Sequence, residues 1–267
     1  MPGSRAIRSI LIGILGGGFS GLTGVGGGAV VVPLMVGQLR LTQHRAHGTS
    51  LAMIMFVAAA GAIGYWRAGN IDWQLALALT PGAVAGVTVG TRAMVRVPAL
   101  QLRLLFGVFL LFVAFRELIW DVSTGGSAEA AGPLVEVVFG FAGGVLAGVL
   151  GVGGGAIFVP AIVIFGLADA SPENGQQVAQ GVSLVVIVAT ACAGTVTNLR
   201  QDTVDMGVVR WGVPAAVVAA FIAAVAANRL DAEVLERIYG LVALGLGVES
   251  IVTSLRGMRA RPLIRRV

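Results

Sequence analysis

Long apolar stretches, interrupted by short polar or glycine-rich runs, fill most of this chain. Hydrophobicity marks eight segments, over residues 7–36, 47–66, 73–94, 100–120, 133–165, 177–199, 208–227 and 234–255. A helix needs about 20 apolar residues to cross the hydrocarbon core of a bilayer, and most of the eight have close to that number. The first and fifth are longer, and glycines interrupt both. The pattern predicts an all-α polytopic membrane protein with eight hydrophobic segments, two of them broken.

Composition points the same way. Of 267 residues, 57% are hydrophobic and only 12% charged, with a mean hydropathy of +0.92. Charge keeps a soluble protein dispersed, but at the centre of a bilayer each ionised side chain costs roughly 3 kcal/mol. The 40 glycines fit the same solvent, since small residues let helices approach where no hydrophobic effect drives them together. All 18 basic residues are arginine. They lie between the segments and at the termini, where they set orientation and meet anionic head groups, so the lipid bilayer is the expected partner and no nucleic acid is. The single cysteine, Cys192, excludes an intramolecular disulfide and a multi-cysteine metal site, and no metal or cofactor is expected. Residues 1–8 are basic and precede an apolar run, as in a secretory signal, but no small-residue cleavage site follows, so they are read as part of the mature fold.

Self-similarity organises the chain. The run Gly21-Leu22-Thr23-Gly24-Val25-Gly26-Gly27-Gly28-Ala29 recurs as Gly148-Val149-Leu150-Gly151-Val152-Gly153-Gly154-Gly155-Ala156, an offset of 127. Further on, Ala46-His47-Gly48-Thr49-Ser50-Leu51 matches Ala179-Gln180-Gly181-Val182-Ser183-Leu184 at an offset of 133. That second register continues through Gly61 and Gly194, Arg67 and Arg200, Asp72 and Asp205, Pro81 and Pro214, and Gly107 and Gly240. The reading is two homologous four-segment repeats in one membrane domain, residues 1–123 and 124–267, joined by a linker at 125–130.

Arginine placement bears on topology. If all eight segments cross, with both termini inside, 11 arginines fall inside and 7 outside; if the first and fifth fold back at their glycines, the division is 14 to 4. The positive-inside rule favours the hairpins and cytoplasmic termini. Each half then has three full crossings, which makes the repeats inverted, a plan common among secondary transporters.

The candidate chemistry follows from the repeat. Three successive glycines break a helix, each costing about 1 kcal/mol relative to alanine, and broken backbone at membrane depth is tolerated only inside protein or beside a watery cavity. The helix restarting after each break presents free N–H groups and a positive dipole end to an anion. Gly24, Gly26, Gly27 and Gly28, with Gly151, Gly153, Gly154 and Gly155, are therefore read as substrate-binding. Gly17 and Gly21, with Gly144 and Gly148, have the small-xxx-small spacing of helix packing.

Thr49, Ser50 and Ser183 can donate hydrogen bonds to an oxyanion or, equally, back-bond within a helix. Gln180 is a further donor, and His47 is its counterpart and a candidate for proton coupling. Arg67, Arg200 and Asn198 are gating candidates. The alternative for the arginines is an interfacial anchor paired with Asp72 or Asp205, five residues on in each case.

With its G-x-G-G-G-x-x-x-x-P run, the following A-H-G-T-S-L, and the recurrence of both in the second half, the chain resembles the TauE/SafE family of sulfite and organosulfonate exporters. The resemblance implies a bacterial cytoplasmic-membrane permease, not an enzyme, exporting a small sulfur-containing anion on the membrane gradient. It also implies a site at Gly24–Gly28, Thr49, Ser50, Gly151–Gly155 and Ser183. Gln180 and Val182 replace His47 and Thr49 in the second half, so the half-sites are expected to differ. A channel for another small anion or a neutral solute is the alternative, and a homodimer is plausible from glycine-lined faces left free.

Overall fold

In the computed structural model, the described residues are 2–93, 104, 107, 108, 110–112, 114, 115, 132–150, 154–165, 168 and 174–264. Gly151 and Gly153, the linker and repeat boundary, and most of the fourth apolar segment lie outside them. The described elements are all helical: α1 (Pro2–Thr23), α2 (Gly28–Leu39), α3 (Gln43–Arg67), α4 (Trp73–Ala93), α5 (Pro133–Leu150), α6 (Gly155–Phe165), α7 (Gly175–Arg200), α8 (Met206–Ala227) and α9 (Ala232–Ile264). Six of them, α1, α3, α4, α7, α8 and α9, are long and apolar enough to cross a membrane. α2 and α6, at 12 and 11 residues, extend about 16–18 Å at 1.5 Å per residue, well short of the roughly 30 Å core.

The first apolar segment folds back on itself where its glycines predict. α1 ends at Thr23, Gly24, Gly26 and Gly27 have φ of 69°, 85° and 74°, and α2 starts at Gly28. α2 then returns antiparallel to α1. A Cβ on Gly16 would strike Val31, and at the far end the Arg8 guanidinium donates to the Gln38 carbonyl at 3.0 Å. The fifth segment divides likewise into α5 and α6, with Gly154 at φ 90° just before α6.

Two ladders of small residues fasten the bundle. On α1, a Cβ at Gly13, Gly17 or Gly21 would lie 2.3, 2.1 and 2.1 Å from the backbone oxygens of Gly212, Ala216 and Ala220 of α8. On α5, a Cβ at Gly140, Gly144 or Gly148 would lie 2.2, 2.3 and 2.5 Å from the backbone oxygens of Leu79, Ala83 and Val87 of α4. Offsets of 127 and 133 convert one ladder into the other, rung for rung. Side chains this small let the backbones touch, so dispersion and close dipole contact hold helices together where lipid offers no hydrophobic drive. The packing role read for Gly17, Gly21, Gly144 and Gly148 is the one they have.

α3 and α7 form the middle of the bundle, with Leu184 against Gly61 and Leu51 against Gly194. Apolar clusters lie on either side, one around Leu75, Leu79, Phe158, Ile162 and Tyr239, the other around Ile12, Val31, Met35, Met53 and Val208.

Asp72 and Asp205 are helix caps. Asp72 Oδ1 accepts from the Leu75 N–H at 3.0 Å and Asp205 Oδ1 from the Val208 N–H at 3.2 Å, each opening the next helix. Asp205 also takes an ion pair from Arg5 at 2.6 Å, not from Arg200. Replacing Asp205 with alanine should cost about 1–2 kcal/mol, nearly all of it the lost cap, because the Arg5 side chain is 55% exposed and its pairing is screened. Chemical unfolding checks this: Asp205→Asn, which keeps an oxygen for the cap, should recover most of the loss.

Candidate functional site

The two helix breaks share one local geometry. Gly27 O accepts from the N–H groups of Val30 and Val31 at 3.1 and 3.0 Å, and Gly154 O from those of Ile157 and Phe158 at 2.9 Å each. The first N–H groups of α2 and α6 have no carbonyl a turn behind them, which leaves a cluster of donors at the positive end of each helix dipole. The breaks also come together. A Cβ on Gly155 would lie 2.5 Å from both Gly24 O and Val25 Cα, so the start of α6 rests on the backbone of the first break. A Cβ on Gly26 would lie 3.3 Å from Ile187 of α7 and 3.4 Å from Ile54 of α3, two residues related by the offset of 133. The left-handed backbone at Gly26 would strain any other residue.

Ser50 and Ser183 lie one helical turn before these isoleucines, and both are fully buried. Ser183 Oγ donates to Gly24 O at 3.0 Å, tying α7 to the break, whereas the Ser50 hydroxyl has no partner. Gln180, also fully buried, packs its stem against Gly24. The Tyr65 hydroxyl has one proton for two acceptors, Gln180 Oε1 at 2.5 Å and Gly21 O at 3.1 Å, and the shorter contact takes it. This fixes the amide so that Nε2 is left as a buried donor without an acceptor. Ser20, whose Cβ is 3.4 Å from where a Cβ of Gly27 would be, contributes a third unpartnered hydroxyl or amide donor, again fully buried. A buried donor left unmade costs about 1–3 kcal/mol. Ser20 and Gln180 bring two such donors to the break where α2 begins, and Ser50 carries the third on α3, one turn from Ile54.

The other predicted residues have different positions. Thr49 takes the second of its two readings: its hydroxyl donates to Arg45 O at 2.6 Å and accepts from the Asp205 N–H at 2.9 Å, so it is occupied in holding α3 to the start of α8. Asn198 is occupied too, donating to Gly194 O at 2.8 Å and accepting from Thr203 Oγ1 at 2.8 Å. It lies 18 residues beyond Gln180 on α7, about 27 Å along the axis. His47 is half-buried near the start of α3, beside Gly48, which packs on Thr203 and Asn198. Arg67 and Arg200 are exposed at the ends of α3 and α7. None of these five joins the group around Gly24–Gly28.

The two breaks are lined differently. At the second break the counterpart of Ser20 is Ala147, 3.1 Å from where a Cβ of Gly154 would be, and the counterpart of Val31 is Phe158, whose ring presses on Gly143 and Gly154. Among the described residues hydrocarbon lies on that side of the second break, whereas Ser20 and Gln180 lie beside the first. Ser20 and Tyr65 were not singled out by their residue types. The usable signal was the repeat itself: Ser20 faces Ala147 and Tyr65 faces Asn198 under the two offsets, and positions where the copies disagree in polarity mark where the halves specialise.

A helical bundle with six potential crossings, two short helices starting from broken backbone in its interior, and unspent donors beside one of them belongs to the class of membrane transporters. The chain matches the sulfite exporter TauE/SafE family over residues 2–117 and 136–266, and it is a member of that family. It is similar to a probable membrane transporter protein of Haemophilus influenzae, 28% identical over 59% of this chain and 62% of that protein. Two Bacillus subtilis proteins, the probable membrane transporter proteins YunE and YdhB, are 23% and 27% identical over 73% of this chain and 79% and 80% of theirs. No solved structure matches the chain.

Proposed function

We propose that the chain is a secondary transporter of the bacterial inner membrane that exports a small sulfur-containing anion, such as sulfite or an organosulfonate, through a single site at the first helix break. The observation that carries this reading is the convergence of Ser20 Oγ, Gln180 Nε2 and the open N-terminus of α2 on Gly24–Gly28, with the unpartnered Ser50 hydroxyl a turn from Ile54. All of these donors are neutral. A neutral cage desolvates an anion without holding it as tightly as a buried arginine would, and a carrier must release what it binds. The apolar walls, Ile54 and Ile187, favour a compact oxyanion with a small organic part.

The architecture read into this proposal is a pair of inverted repeats, 1–123 and 124–267, with both termini cytoplasmic and α1–α2 and α5–α6 as re-entrant hairpins. The interchange of the two glycine ladders supports it, as does the interruption of the family match at 118–135. Two such hairpins, each starting a helix near the middle of the bundle, offer opposite sides of the membrane alternate access to one centre.

Ser50 and Ser183 supply the test. Sulfite, sulfate, sulfoacetate and a neutral sugar are titrated into purified protein while its thermal stability is followed; saturating a real site a hundredfold should stabilise by about 2.7 kcal/mol. Ser50→Ala should leave the melting temperature of the empty protein unchanged, since its hydroxyl bonds to nothing, yet weaken the preferred anion roughly tenfold, the loss of one charge-assisted hydrogen bond. Ser183→Ala should instead destabilise the empty protein by about 1–3 kcal/mol, because Gly24 O loses its donor. Equal anion affinity in Ser50→Ala and wild type removes Ser50 from the site, whereas a stability shift from the sugar alone removes the anion reading and leaves a channel for neutral solutes.

A further inference from the structure

Away from the glycine breaks, α3 and α8 finish side by side, and a cleft of about 410 Å³ opens between their ends. It is lined by Gly64, Arg67, Ala68, Phe221, Val225, Asn228 and Arg229. Its two charges are both guanidinium groups, and no acid lines it. Arg67 does not pair with Asp72, whose carboxylate caps α4, and the ion pairs among the described residues, Arg5 with Asp205 and Arg237 with Glu233, leave Arg67 and Arg229 out. Nor do the helix ends absorb them. The carbonyls of Tyr65, Trp66, Ala224, Ala226 and Ala227 accept from backbone N–H groups of the following turns, and Asn228 Nδ2 takes Ala224 O as well. Asn228 is in turn held by Asn70 Nδ2 at 2.6 Å, and Asn70 by Asn174 Nδ2 at 3.2 Å, so a chain of three amides fixes the floor of the cleft.

Two unneutralised cations facing one cavity repel each other, and that arrangement is relieved by an anion between them. The surroundings say which kind. Trp66, 60% exposed, and Trp73, 46% exposed, stack edge to face 6.4 Å apart immediately beside Arg67. Exposed tryptophans mark the level of the lipid head groups. Below the cations the cleft wall is Phe221 and Val225, and Ile222, 61% exposed, continues the apolar face of α8. The order from rim to wall is cationic, then hydrocarbon, which is the order of an anionic lipid read from phosphate to acyl chain. We infer that this cleft is a binding site for an anionic phospholipid, its phosphate between Arg67 and Arg229 and a chain along Phe221 and Val225. The lipid would brace α3 against α8, and so act at a distance on the helix that carries Tyr65.

The sequence carries a trace of this site. Arg229 stands 133 residues after Arg96, as Arg200 stands 133 after Arg67, so both cleft cations belong to the repeated register.

Native mass spectrometry of the protein in neutral maltoside, offered phosphatidylglycerol and phosphatidylcholine in equal amounts, tests the inference. Wild type should retain phosphatidylglycerol at least tenfold better, and Arg67→Gln/Arg229→Gln should reduce the preference to under twofold. Arg229→Gln alone, on an exposed side chain, should give a partial loss even if the double variant folds poorly. A preference that survives these substitutions, or equal retention of the two lipids by wild type, overturns the inference. Displacement of phosphatidylglycerol by millimolar inorganic phosphate overturns it too, because the cleft would then be a free-anion site. Ser50→Ala should leave lipid retention unchanged, which separates this result from the fate of the transport site.

Discussion

Replacing Gly17 with alanine should lower the melting temperature sharply, while the same change at its neighbour Gly18 should leave it unchanged or raise it slightly. The two glycines are adjacent in α1, and by helix propensity alone each should gain up to about 1 kcal/mol from alanine. Contact decides against Gly17. An added Cβ there would lie 2.1 Å from Ala216 O and 2.8 Å from Ala216 Cα and C, whereas one on Gly18 meets nothing within 4 Å. The obstacle is backbone, so no rotamer can yield, and α1 must lift away from α8 along a ladder that also includes Gly13 and Gly21. Overpacking of this kind costs about 3 kcal/mol, or roughly 6–12 °C for a chain of this size. Gly144→Ala on α5 should behave like Gly17→Ala, because Ala83 O lies 2.3 Å from its would-be Cβ. Thermal unfolding in detergent measures all three. A Gly17→Ala variant that melts with wild type would mean the helices can separate at no cost, and the ladder would lose its part in holding the bundle.

These glycines also show what was readable in the chain. Backbone approach leaves a periodic signature of small residues, so the packing faces of α1 and α5 were visible before any coordinates. The breaks were visible for a related reason: a run of glycines is costly in a helix unless the backbone uses the left-handed region, as Gly26 and Gly27 do. What spacing could not give was the partner of each polar side chain. Arg67 and Asp72 look like an ion pair in sequence, yet the chain turns between them, and the Asp72 carboxylate accepts from the N–H of Leu75. Thr49 reads as a ligand donor by resemblance, but an N–H from α8, 156 residues away, takes its oxygen. Tyr65 meets Gln180 across 115 residues, and the lipid cleft joins the ends of α3 and α8. Apart from the local Asp72 cap, each of these depends on how the halves dock, which no local pattern encodes.

The largest effect on binding is expected from Gln180→Glu. The two side chains have the same shape, and a carboxylate can still accept the Tyr65 proton that now goes to Gln180 Oε1, so the clasp between α3 and α7 survives. What changes is the other atom. Gln180 Nε2, a buried donor with no partner, becomes an anionic oxygen facing the break where α2 begins. An arriving anion loses a charge-assisted hydrogen bond and meets a like charge at low dielectric, and together these should weaken it at least roughly a hundredfold. Acidification supplies an internal check. Protonating the new carboxyl removes the charge and restores a donor, so affinity in the variant should rise as pH falls, while wild type, with an amide there, has no such dependence from this position. Isothermal titration with sulfite or sulfoacetate at mildly alkaline and mildly acidic pH reads both effects. Undiminished affinity in Gln180→Glu at alkaline pH would show that the side chain at 180 does not face the bound anion, and Gln180 would leave the site. Tyr65→Phe separates orientation from charge: without the hydroxyl that selects Oε1, the amide is free to turn, and binding should weaken by less than in Gln180→Glu but without any recovery in acid.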